Sequence, residues 1–129
     1  MALKAVYFRG WPGRLWGALP GRSRVRALHH TLPILPPGTP SLKIGFASDI
    51  HIGPTTPPPL LDAAFALLTD WQPDVLALGG DYVFLDATHA VAEELRRRVA
   101  GVGAPVCVAV MGNHDLWTHH DRLEAALRD

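Results

Sequence analysis

The stretch "VLALGGDYVF", Val75–Phe84, decides how the chain is read. Four consecutive apolar residues are too few for a helix and suit a strand covered by other elements. Two glycines then let the backbone turn sharply and leave the Asp81 carboxylate bare at the corner. The same grammar recurs on either side. "KIGFAS", Lys43–Ser48, is an apolar run that leads into Asp49-Ile50-His51, and "VCVAVM", Val106–Met111, leads into Gly112-Asn113-His114-Asp115.

Helical patterns fill the intervals. "PPPLLDAAFALLTDW", Pro57–Trp71, opens on prolines suited to a helix start and repeats Leu61, Ala64, Leu68 and Trp71 at helical spacing, until Gln72-Pro73-Asp74 stops it. "THAVAEELRRRVA", Thr88–Ala100, offers Thr88 as a cap, Val91, Leu95 and Val99 on one face, and Glu94 with Arg98 as a supporting pair. "DRLEAALRD", Asp121–Asp129, reads as a last helix with Asp121 and Glu124 in capping-box spacing. The order βαβαβα predicts an α/β fold of parallel strands joined by right-handed crossovers, with flanking helices. Continuously apolar strands are expected to be buried on both faces. Their carboxyl ends then share one edge, where open α/β sheets hold their ligands.

A chain of 129 residues, 48% hydrophobic and 19% charged, fits one globular domain rather than a disordered segment. Its zero formal charge hides an asymmetry: seven of the twelve Lys and Arg residues precede Asp49, the first acidic residue. The single cysteine, Cys107, forms no internal disulfide and reads as a buried strand position, which suits a reducing, cytoplasmic compartment. No apolar run reaches the ~18 residues that a bilayer span needs, and no continuous apolar signal core or twin arginine opens the chain.

Residues 1–41 divide from residues 42–129 as a basic, Pro/Gly-broken N-terminal arm and linker. The arm mixes Tyr7, Phe8, Trp11 and Trp16 with Lys4, Arg9, Arg14, Arg22, Arg24 and Arg26, and Pro12, Gly13, Pro20 and Gly21 leave no long regular element. Two readings stay open: an arm that packs its aromatics on the domain, or a peripheral contact through residues 1–32 with an anionic lipid surface at the inner membrane. Nothing in it reads nucleic-acid bases. "PILPPGTP", Pro33–Pro40, is a stiff linker.

Each strand end carries metal-capable side chains. Residues two apart share a side of a strand, so Asp49 and His51 converge if the strand stays extended past Ser48. An oxygen and an imidazole nitrogen suit manganese, iron or zinc better than calcium. The Asp81 carboxylate has lone pairs enough to bridge two cations, Asn113 can offer its amide oxygen to the second, and His114 can protonate a leaving oxygen while Asp115 orients it. Taken singly, each cluster is a turn or a helix cap. One at each of three successive strand ends is hard to explain as turns. Of the other histidines, His29 and His30 lie in the arm, His89 starts a helix, and His119 and His120 border the third cluster; Trp117 reads as a packing or rim residue.

In this order and spacing, "SDIHIGP", "LGGDYV" and "MGNHDLW" resemble the D-x-H, G-D and G-N-H-[DE] blocks of the calcineurin-like metallophosphoesterase superfamily, and more narrowly its bacterial phosphodiesterase branch, over residues 43–128. The resemblance implies a metal-dependent hydrolase of phosphoesters, phosphodiesters and lipid-linked ones among them, that works through a hydroxide activated by two divalent metal ions. It assigns Asp49 and His51 to the first ion, Asp81 to both, Asn113 to the second and His114 to catalysis. Many relatives carry another aspartate where this chain has Phe84, with Asp86 two residues on. The family's domain is about twice this length, and its later histidine blocks, G-H-x-H among them, would lie beyond Asp129. The chain therefore reads as the N-terminal half of the fold, with a half-filled site, an unpaired sheet edge and an uncovered sheet face. The alternative is a noncatalytic truncated or degenerate member that acts as a binding module.

Overall fold

The computed structural model describes Tyr7, residues 11–19 and residues 24–128. Lys4, Phe8, Arg9, Arg22 and Asp129, cited above, lie outside the described residues, as does the Trp16 side chain.

The elements run α1 (Trp11–Gly17), β1 (Ile44–Ala47), α2 (Pro58–Trp71), β2 (Val75–Leu78), α3 (His89–Val102), β3 (Val106–Ala109), α4 (Asn113–Leu116) and α5 (His120–Arg128). The three strands form one parallel sheet in the order β1-β2-β3, with Ala47 paired to Leu78 and Leu78 to Ala109. The expected βαβαβα order is thus the observed one.

Local chemistry sets the helix limits. Proline at the start of α2 has no amide hydrogen to waste, and Gln72 closes the helix at φ 50°. The Thr88 hydroxyl caps α3 by accepting from the Val91 amide at 3.3 Å, and Gly103 ends it at φ 71°. Glu94 and Arg98 pair at 2.9 Å; the same guanidinium reaches Asp62 of α2 at 2.8 Å and ties the two helices together. Among its described residues the arm holds one short helix, α1.

Strands taken in the order 1-2-3 through right-handed crossovers place every connecting helix on the same side of the sheet. Leu76 and Leu78 accordingly join Leu61, Phe65, Leu95 and Leu123 in a single core. The opposite face is bare: this matches the uncovered face that the resemblance implied and corrects the expectation of strands buried on both sides. Ile44 and Phe46 of β1 are 57% and 67% exposed, and Val106 and Val108 of β3 are 48% and 53% exposed. Cys107, expected to be buried, is exposed as well, because β3 is an edge strand beyond which no described element lies. No described helix is long and apolar enough to cross a membrane.

Candidate metal centre

Past Ala47 and Leu78 the two chains stop being regular strands but remain laced together. The Asp49 amide donates to the Gly80 carbonyl at 3.0 Å, His51 to Asp81 at 3.0 Å and Ile52 to Tyr82 at 2.7 Å. Following this path takes Asp49 to φ 54°, His51 to φ 48° and Asp81 to φ 55°. Three of the four described non-glycine residues with positive φ therefore sit here, the fourth being the helix-closing Gln72. Left-handed backbone costs an ordinary residue roughly 1–3 kcal/mol and persists where surrounding bonds enforce it, as at functional sites. The expectation that Asp49 and His51 lie along an extended strand is corrected: β1 ends at Ala47, and both residues take positive φ.

The glycines permit a close approach. At φ 91°, a side chain on Gly80 would lie 2.5 Å from the Gly112 nitrogen, and one on Gly112 would run into the Asp81 carboxylate. The β2 and β3 loops thus touch backbone to backbone. Asp115, fully buried, stitches them. Its Oδ2 accepts from the amides of Asp81 at 2.8 Å and Gly112 at 2.9 Å, and its Oδ1 from those of Tyr82 at 2.8 Å and Val83 at 3.2 Å. The sequence reading made Asp115 the orienter of His114. Its carboxylate is instead spent on backbone amides, and the imidazole is oriented by the Phe84 carbonyl.

That carbonyl lies 3.1 Å from His114 Nδ1, and the Val83 carbonyl lies 3.4 Å from His51 Nδ1. A carbonyl only accepts, so each Nδ1 carries the proton and each Nε2 keeps its lone pair for a ligand. Asp81 Oδ1 accepts from the His114 amide at 3.0 Å, while its other oxygen makes no hydrogen bond among the described residues. One ligating atom from each of His51, Asp81 and His114 lies within 4.8 Å of the others. The three strand-end loops do converge.

Asp49 stands outside that trio, exposed, with Oδ1 4.0 Å from His51 Nε2. Asn113 is the exposed first residue of α4, next to His114, and its side chain makes no hydrogen bond among the described residues. His114, read from sequence as an acid, is also one of the three groups whose ligating atoms could hold a cation. His120 begins α5, His119 precedes it, and neither is among them. Phe84 was seen in the sequence only as a departure from a family pattern. Its ring stacks on His114 with centroids 5.7 Å apart and meets His51 edge-on at 5.9 Å, while exposed Trp117 flanks His114 at 5.3 Å. No spacing rule marks such a residue, because its part depends on what three separate loops bring to it.

Two neutral imidazoles and a carboxylate with a free oxygen fit a borderline divalent cation such as manganese, iron or zinc. Partial burial of all three raises the electrostatic value of such an ion.

Comparison with known proteins agrees with this chemistry. The family model described as calcineurin-like phosphoesterase matches residues 42–128. UDP-2,3-diacylglucosamine pyrophosphatase LpxG of Chlamydia trachomatis is 32% identical over 104 residues, which cover 80% of this chain and 31% of that protein. The transmembrane protein with metallophosphoesterase domain of Bos taurus is 36% identical over 89 residues, covering 65% and 19%. Phosphodiesterase YaeI of Escherichia coli is 36% identical over 90 residues, covering 68% and 33%. The chain spans 33% or less of the length of these curated relatives. No solved structure gives a significant match.

Proposed function

The chain belongs to the calcineurin-like phosphoesterase family, and on that premise we propose that it carries the metal-binding half of a hydrolase acting on phosphodiesters. The observation that carries the reading is the convergence of His51, Asp81 and His114 from three different strand ends. Divalent cations bound there would supply Lewis-acid polarisation, neutralise charge developing on a phosphoryl group and activate water.

Two ions are proposed. His51 and Asp49 would hold the first, Asp81 would serve both, and Asn113 with His114 would face the second. Support for Asp81 as the bridge is its unbonded oxygen beside two imidazoles. Tautomers fixed by the Val83 and Phe84 carbonyls present both Nε2 atoms without rearrangement. If its Nε2 takes up a proton instead of an ion, the His114 imidazole can contact a phosphoryl oxygen or give that proton to a leaving group.

Residues 42–129 are read as the first half of the domain, because the ligands described here are too few to complete two coordination shells. Residues 1–32 are proposed as a peripheral membrane contact on separate grounds. Trp11 and Leu15, one turn apart on α1, are 53% and 67% exposed, and the arm carries basic residues and no acidic one. LpxG is named for a diacylated nucleotide sugar, and a lipid-linked phosphoester is the substrate class proposed for this chain.

The test is hydrolysis of bis(4-nitrophenyl) phosphate by the full-length product of the reading frame, with and without manganese. Manganese-dependent turnover that Asp81→Asn abolishes supports the reading. Turnover indifferent to manganese and to that substitution sinks it.

A further inference from the structure

The arm is joined to the metal centre at two points. On α1, Gly13 is buried and its amide donates to the Pro54 carbonyl at 3.0 Å. The approach leaves no room for a side chain, since a Cβ on Gly13 would lie 2.6 Å from that carbonyl oxygen and 3.2 Å from the Thr55 backbone. Pro54 stands three residues after His51, in the same loop. At the second point, the Tyr7 ring meets the Phe84 ring edge-on at 5.2 Å. Phe84 in turn touches both imidazoles and supplies the carbonyl that holds His114 Nδ1. A continuous row of packed rings therefore runs from Tyr7 through Phe84 to His51 and His114, which lie 4.8 Å apart.

We propose that the N-terminal arm is a working part of the metal centre: Tyr7, through Phe84, and Gly13, through Pro54, are positioning residues that hold His51 and His114 in ligating posture. The proposal rests on the metal-centre reading above and adds to it a dependence on the arm. Edge-to-face ring pairs attract each other beyond their buried area, enough to bias a ring between two orientations. Groups that hydrogen-bond a ligating histidine typically change metal affinity by about 10–100-fold when removed, and Phe84, on which Tyr7 packs, supplies such a group to His114 through its carbonyl. The arm also bears the exposed Trp11 and Leu15 face, so whatever draws α1 off Pro54 loosens the site at the same time.

The experiment uses this chain and follows the imidazole proton resonances of His51 and His114, assigned with His51→Gln and His114→Gln, before and during titration with manganese. Paramagnetic broadening reports the cation even when binding is weak. Tyr7→Ala is expected to shift both resonances in the metal-free protein and to weaken manganese binding about tenfold. Tyr7→Phe, which keeps the ring contact, is expected to restore both, and circular dichroism of all variants is expected to match the wild type. Gly13→Val, which forces α1 away from Pro54, should reproduce Tyr7→Ala. Wild-type resonances and affinity in both Tyr7→Ala and Gly13→Val overturn the proposal. If manganese broadens neither imidazole of the wild-type chain, the metal reading itself fails. The metal-free shifts then decide the brace alone: movement in Tyr7→Ala sustains it, and no movement removes it.

Discussion

Asp115 and Asp81, two acidic residues from different strand ends, are joined by a hydrogen bond: the Asp115 carboxylate accepts the Asp81 backbone amide at 2.8 Å. One carboxylate is consumed internally to hold the loop that presents the other. The pairing divides these two acidic residues into a structural one, fully buried, and a candidate ligand, half-buried with an oxygen to spare.

Asp115→Asn is expected to destabilise the protein by about 3 kcal/mol or more, because each carboxylate oxygen accepts from two amides and an Asn side chain in either orientation sets its NH2 group against two donors. Urea denaturation measures the loss. A variant as stable as the wild type would show that the four bonds carry little.

Asp81→Asn acts on the ligand instead. The amide oxygen can still accept from the His114 amide, so stability should change by less than about 1 kcal/mol while manganese affinity falls at least about tenfold. Titration calorimetry separates the two effects. Unchanged affinity would remove Asp81 from the centre.

For this chain, manganese binding is expected to be weak, since three clustered groups with Asp49 and Asn113 at the rim fall short of two full shells. Tight binding of two ions per chain in calorimetry would contradict the half-site reading.

Tyr82 gives a pH signature. Burial first, then the nearby Asp115 charge, pushes its phenol up from 10.0 to about 12. The hydroxyl donates to the Val110 carbonyl at 2.7 Å, which links the loop to the end of β3. A raised pKa means that the native state favours the protonated form. The stability it contributes is complete below about pH 10 and is lost as the pH rises through about 12. Relative to Tyr82→Phe, the wild type should lose roughly 2–3 kcal/mol across that window in urea melts. Parallel pH profiles for the two proteins would count against the assignment.

At the arm, Trp11→Ser combined with Leu15→Ser should cut co-sedimentation with vesicles containing anionic lipid, since both side chains are outward on α1. Equal partitioning of variant and wild type would dismiss the membrane contact.

Element order was legible from residue patterns alone because short-range rules govern it. Val75–Leu78 needed only its apolar run, Thr88 only its hydroxyl, and the parallel sheet only the alternation of strand and helix. The strand-end motifs likewise marked the three loops from which His51, Asp81 and His114 come together. What each then does there depended on long-range contacts: the lacing of two loops that turns Asp49 outward, the four amides that claim Asp115, the carbonyl that fixes His114, and the Tyr7–Phe84 contact that joins the arm to the site. Composition marks which side chains can bind a cation, but their direction is set by backbone bonds between segments about 30 residues apart, and no local pattern encodes those.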